Sequence, residues 1–69
     1  MQHIICYNNG MRVMIPCVVR MLNASQKTVE VQNEQHAHCV ASLYSGRVQQ
    51  YGSIWRIIVT AVIVVVTIP

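Results

Sequence analysis

Carboxylate side chains are the scarcest chemical group in this sequence. It contains no Asp, and Glu30 and Glu34 are its only acidic residues. A hydrolytic site needs a base and a carboxylate that orients it, and no sequence context supports a Cys–His pair. The 69 residues also make one domain at most, with about 60% of the unfolded chain's surface buried on folding. We therefore predict a protein that binds a partner and is not an enzyme.

Metal-ligand spacing is also missing. No Cys-x-x-Cys pair occurs, and the densest run of ligand-type residues is His36-Ala37-His38-Cys39. In the strand predicted for this region His38 and Cys39 point to opposite faces, so we predict neither a metal site nor a cofactor. Three cysteines are an odd number and cannot all pair within the chain. Because no signal peptide is recognisable, reduced thiols and a cytoplasmic location are the simplest interpretation.

The charged residues are few and dispersed. Only 10% of the residues are charged, and the formal net charge of +3 comes without a basic run. Charge alone therefore does not predict nucleic-acid binding, although a mildly basic chain suits a polyanion or an anionic membrane surface. The best local combination of cation and ring is Arg47, which is flanked by Tyr44 and Tyr51. Such a group is typical of RNA contacts and also of an ordinary protein surface.

Phe is absent, and the apolar residues are mostly Val and Ile, a composition that favours strands. Turn-forming residues such as Asn8-Asn9-Gly10 divide the chain at intervals of about 10 residues, as in a small barrel or sandwich. Five strands are predicted, with Arg47–Tyr51 as the only candidate helix: His3–Tyr7, Arg12–Leu22, Lys27–Gln32, His38–Tyr44 and Ile54–Ile68. The predicted fold is all-β, a small five-stranded barrel over residues 17–69 that follows a leading hairpin or arm over residues 1–16. Pro16 marks a strand start or an edge position.

The C-terminal run Ile57–Pro69 is uncharged and nearly all β-branched. As a strand it would be the most buried one of the sheet. As a membrane-inserted helix its thirteen residues rise about 20 Å, against a hydrocarbon core of about 30 Å. Extension back to Ile54 adds Trp55 and Arg56 as an interfacial anchor. The alternative architecture is therefore a polar, β-rich N-terminal part with a C-terminal helix in the membrane.

From Cys17 to Val66 the order of these segments resembles the translation initiation factor 1A family. The similar pieces are "VVRMLN", "KTVEVQNEQ", "VASLYSGR" and "SIWRIIVTAVIVVV", which begin at Val18, Lys27, Val40 and Ser53. The resemblance implies a five-stranded OB-type barrel that binds ribosomal RNA at the decoding site of the small subunit. The chain departs from that pattern between Val48 and Ser53, where it has no basic cluster.

The resemblance also implies contact residues. Arg47 and Trp55 have counterparts in the family, and Arg20 and Lys27 are further basic positions. Together with the two rings beside Arg47, the predicted nucleic-acid-binding residues are Arg20, Lys27, Tyr44, Arg47, Tyr51 and Trp55. The predicted function is that of a small RNA- or ribosome-associated binding domain. The alternatives are a tail-anchored membrane protein, and a structural subunit that uses Ile54–Pro69 to give a strand to a protein partner.

Overall fold

The computed structural model describes residues 1–69, which form six strands and one helix. Their bounds are β1 Gln2–Asn8, β2 Met11–Met21, β3 Lys27–Val31, α1 Glu34–Tyr44, β4 Arg47–Tyr51, β5 Ile54–Val59 and β6 Val66–Thr67. The sheet order is β4-β5-β3-β2-β1-β6, and every neighbouring pair is antiparallel. Of the predicted all-β barrel, the coarser part is confirmed, because the protein is mostly β. The sheet is open, has six strands where five were predicted, and is covered by a helix that was not predicted.

Local turn chemistry produces the first hairpins as predicted. Asn9 and Gly10 connect β1 to β2 with φ values of 52° and 75°, the left-handed conformation that a two-residue Asn-Gly hairpin turn requires. Between β2 and β3, the Asn23 side-chain Oδ1 accepts hydrogen bonds from the backbone N–H groups of Ser25 and Gln26 at 3.0 and 2.9 Å. That side chain replaces backbone partners within the turn.

The core lies between the sheet and α1. Along β3, Val29 and Val31 are at most 1% exposed and face the helix, and the strand predicted for Lys27–Gln32 is confirmed over Lys27–Val31. The ten buried apolar residues are Ile4, Cys6, Ile15, Cys17, Val29, Val31, Ala37, Val40, Ile57 and Val59. These residues come from β1, β2, β3, α1 and β5, so residues 1–16 contribute to the same core as the rest of the chain.

β2 continues through Pro16 without a break, and its pairing partner changes between Cys17 and Val18. Met11–Cys17 pair with β1, whereas Val18–Met21 pair with β3. β3 ends at Val31, which leaves no strand beside the first part of β2 on that side. Pro16 has no N–H to donate, and it lies mid-strand at this locally unpaired position, as a proline within a sheet requires.

The strand predicted for His38–Tyr44 is wrong, because these residues belong to α1. The helix begins after Asn33, whose Oδ1 accepts a hydrogen bond from the His36 backbone N–H at 2.8 Å, as an N-cap does. Ala37 and Val40 are buried three residues apart, which is helical spacing. The helix predicted for Arg47–Tyr51 is also wrong, since this segment forms β4.

The C-terminal run is neither one long strand nor a helix. β5 ends at Val59, residues 60–65 have no regular structure apart from a bend, and only Val66–Thr67 pair again, with β1. The alternative prediction of a C-terminal membrane-inserted helix is therefore wrong. The only helix, α1, has 11 residues and is neither long nor apolar enough to cross a membrane.

Candidate nucleic-acid interface

The side of the strands that faces away from α1 carries all four arginines of the chain. Side chains alternate along a strand, so residues next to the buried positions point outward. Arg56 lies beside buried Ile57, and Arg47 pairs with Ile58, which also lies beside Ile57. We call this surface the outer face; its charged and aromatic members and one amide are Tyr7, Arg12, Arg20, Glu30, Arg47, Gln49, Tyr51 and Arg56.

Glu30 is the only carboxylate on the outer face, and it binds two of the arginines. Arg20 Nε donates to Glu30 Oε1 at 3.2 Å, and Arg56 Nη2 donates to Glu30 Oε2 at 3.2 Å. The side chain of Glu30 is 16% exposed and that of Arg56 is 35% exposed, whereas Arg20 is 70% exposed. Arg20 can therefore rotate toward a ligand at little cost, while Arg56 is held in the sheet.

Tyr51 completes this cluster on the edge strand β4. The Arg56 guanidinium carbon lies 4.4 Å from the centroid of its ring, which is within cation–π distance. The Tyr51 hydroxyl donates to Gln49 Oε1 at 2.9 Å, and half of the residue stays exposed. The ring of Tyr51 therefore contacts a cation and remains half exposed, which suits an aromatic side chain on which a base stacks.

The predicted contact residues divide between the two sides of the sheet. Arg20, Arg47 and Tyr51 lie on the outer face. Lys27 lies on the same, helix-facing side of β3 as Val29 and Val31, and Trp55 packs against the core. Tyr44 lies on α1, where its hydroxyl accepts a hydrogen bond from the Val64 backbone N–H at 3.0 Å. The structure therefore brings together only part of the predicted set.

Sequence reasoning missed Arg12 and Arg56 as members of this surface. The position of Arg56 could be predicted from the sequence. In any strand where Ile57 and Val59 face the core, alternation makes the side chain of Arg56 point outward. The sequence prediction assigns Arg56 a role only in the alternative of a membrane-inserted segment, as part of an interfacial anchor. Arg12 needs the register between β1 and β2, which pairs it with Tyr7, and the turn at Asn9-Gly10 implies that register.

The cysteines lie on the helix side of the sheet. Burial, together with a contact to the Cys39 thiol, raises the pKa of the Cys6 thiol to about 12. Burial also raises the pKa of Cys17. Thiolates are the reactive and metal-binding form of cysteine, so neither buried thiol is prepared for nucleophilic chemistry near neutral pH. No three His, Cys, Asp or Glu side chains come together as a group that could hold a metal ion.

Comparison with protein-family models, with curated proteins and with solved structures gives no match for this chain.

Proposed function

We propose that this chain is a small, non-catalytic RNA-binding domain that contacts single-stranded RNA through the outer face. The observation that carries the proposal is the collection of all four arginines on one side of the strands, although they are dispersed in the sequence. Glu30 is the only acid among them. A basic surface attracts the phosphate backbone, and this electrostatic attraction is the main source of sequence-independent affinity.

The aromatic part of the surface supports single-stranded RNA as the ligand. Tyr51 is 50% exposed and Tyr7 is 68% exposed, on strands at opposite ends of the outer face. Sheets that bind single-stranded RNA stack bases on exposed rings while nearby cations hold the backbone. Ribosomal RNA of the small subunit is the first target to test, because the resemblance to the initiation factor 1A family implies it. The proposal has the protein working in the cytoplasm.

Fluorescence anisotropy with a labelled single-stranded fragment of ribosomal RNA, at two salt concentrations, tests the proposal. The Arg47→Gln variant should reduce the slope of log affinity against log salt by about 0.7, the effect of one lost phosphate contact. The matched control is Lys27→Gln, which removes a cation from the helix side and should leave the slope unchanged. Affinity that ignores salt, or equal effects of the two variants, would refute the proposal.

The stacking contact has its own variant pair. Tyr51→Ala should weaken binding by about 5- to 150-fold, because stacking of one base on a ring contributes about 1–3 kcal/mol. Tyr51→Phe keeps the ring and loses only the hydroxyl that donates to Gln49, so its affinity should stay within about twofold of the parent chain. If Phe and Ala weaken binding equally, the ring does not stack on a base.

A further inference from the structure

The edge of β1 beyond His3 is open. β6 pairs only with Gln2 and His3, and no other strand lies on that side. Met1 and Ile68 exchange backbone hydrogen bonds, and the side to which backbone groups point alternates along an antiparallel strand. The N–H and C=O groups of Ile5 and Tyr7 therefore point out of this edge with no strand to receive them.

This edge also lacks the usual protection. Exposed edge strands normally carry charges, prolines or bulges that prevent another strand from pairing. The segment Ile4–Asn8 has no charge and no proline, whereas β4 at the other edge carries Arg47 and two glutamines. An unprotected edge of this kind favours the addition of a strand.

The same chain contains a strand-like segment that does not form a strand. Residues 60–65 are irregular, although Val62–Val65 are all β-branched, a composition that favours strands. Val62 is 88% exposed and Val64 is 70% exposed. The segment runs directly into β6, so it already enters the sheet at the open edge.

The register of β6 specifies how this segment would continue along β1. Thr67 pairs with Gln2 and Val66 with His3. If this register continued, Val64 would lie opposite Ile5 and Val62 opposite Tyr7, the two residues whose backbone groups point out of the edge. Ile63 would lie opposite Cys6, on the helix side. A cleft of about 570 Å³ lies there, lined by Cys6 and by α1 residues that include Leu43.

A single chain cannot make this pairing with itself. Val59 pairs with Lys27, and Lys27 pairs with Met21 of β2; Tyr7 pairs with Arg12 of β2. The distance along the sheet from Val59 to the edge at Tyr7 therefore equals the distance from Met21 to Arg12 on β2. Positions 12 and 21 are nine residues apart, or about 30 Å along a strand. The three residues from Val59 to Val62 span about 11 Å at most. The strand that fills the open edge must therefore come from another chain.

We propose that two copies of this chain form a closed dimer by exchanging residues 61–67. Each exchanged segment lies along the whole of the other copy's β1, in the register that β6 already sets. The exchange replaces two pairs, together with the hydrogen bond from the Val64 N–H to the Tyr44 hydroxyl, by seven pairs. It covers both open edges and is reciprocal, so that the dimer is closed. The proposed dimer rests on the open edge of β1 and on the register of β6, and it does not depend on RNA binding at the outer face.

Light scattering after size-exclusion chromatography provides the first test. The full chain should elute with twice its monomer mass of 7.8 kDa. Val62→Pro removes an N–H that would bond to Tyr7 in the dimer, whereas in the monomer this exposed residue makes no hydrogen bond. The variant should raise the dimer dissociation constant by about tenfold or more while the monomer keeps its circular dichroism spectrum. The control, Val62→Thr, keeps the N–H and should dimerise like the parent chain.

Cross-linking tests the register. With Cys39→Ala as background and oxidised glutathione added as the two-electron oxidant, Ile63→Cys should form a disulfide with Cys6 of the second copy, seen as a dimer on a non-reducing gel and by peptide mapping. A non-hydrogen-bonded pair has a Cα separation of about 4.5 Å, within the range for disulfides. Val64→Cys, which points to the other face, should not form this link.

Four results would overturn the proposal. They are a monomer mass at every concentration, equal dimerisation of the Val62→Pro and Val62→Thr variants, open-ended fibres in place of a dimer, and a Cys6 link that forms within one chain.

Discussion

Substitution of Glu30 by Gln should have opposite effects on stability and on RNA binding. Glu30→Gln keeps the shape of the side chain but removes the charge that faces two arginines. The Arg20 contact contributes under about 1 kcal/mol, because Arg20 is 70% exposed. The hydrogen bond to Arg56 is charge-assisted, and the Arg56 side chain is only 35% exposed. Loss of this bond should therefore cost about 1–2 kcal/mol. The free energy of unfolding should therefore fall by about 2 kcal/mol.

The assay is urea unfolding, followed by the fluorescence of Trp55, the only tryptophan in the chain. The midpoint should fall while the slope with urea stays constant, because the surface exposed on unfolding does not change. Arg20→Gln serves as the control and should cost less than half as much. A loss below about 0.5 kcal/mol for Glu30→Gln, or an equal loss for Arg20→Gln, would refute the view that the Arg56 contact dominates.

The same variant should bind RNA more tightly. Removal of the only carboxylate on the outer face frees two arginines for phosphate contacts, so the salt slope should steepen by about 0.7 or more. Anisotropy measurements on Glu30→Gln and on the parent chain compare the slopes directly. A variant that loses stability and RNA affinity together would indicate that the outer face is not the binding surface.

The remaining predictions concern the helix side of the molecule. Gly46→Ala should cost about 1–3 kcal/mol, because the new Cβ would overlap the Ile57 side chain and lie 2.7 Å from the Val59 side chain. Urea unfolding measures this loss, and a neutral variant would contradict it. Asn33→Ala should lower the free energy of unfolding by about 1 kcal/mol through loss of the N-cap and should reduce helical circular dichroism. Asn33→Asp, which keeps a capping oxygen, should retain most of the stability and of the helical signal. In the native protein a maleimide should modify partly exposed Cys39 before buried Cys6; simultaneous modification would contradict the packing. Because the folded pKa of Cys6 is about 12 and its ordinary value is 9.0, the native state binds more protons than the unfolded state between those values. Stability should therefore decrease by up to about 1.4 kcal/mol per pH unit in this range, and Cys6→Ala should flatten the decrease.

The hairpins and the buried valines could be predicted from local sequence, because turn chemistry and period-two alternation are properties of neighbouring residues. The helix could not, for two reasons. The segment His38–Tyr44 has apolar residues that fit both periods, and Asn33 is as typical of a turn as of an N-cap. Burial of Ala37 and Val40 under the sheet selects the helix, and that burial is a tertiary effect.

The candidate site was only partly predictable for a related reason. Arg20, Arg47 and Arg56 are separated by many residues, and they share a surface only because β2, β3, β5 and β4 pair in one register. Composition predicts a strand at Val62–Val65, and that prediction is wrong for the single chain, where these residues are irregular, because composition does not account for how far the chain can reach. The distance from β5 to the edge of β1 makes the segment irregular within one chain.

The change of partner along β2 has a consequence for how the molecule opens. One hydrogen-bond ladder joins β2 to β1 and β6, the other joins it to β3, β5 and β4, and the two ladders meet end to end between Cys17 and Val18. Either ladder can open without breaking a backbone bond in the other, and α1, which packs on strands of both, is released from only one ladder when that ladder opens. Native-state hydrogen exchange should then divide the sheet into two classes of amides, one for each ladder.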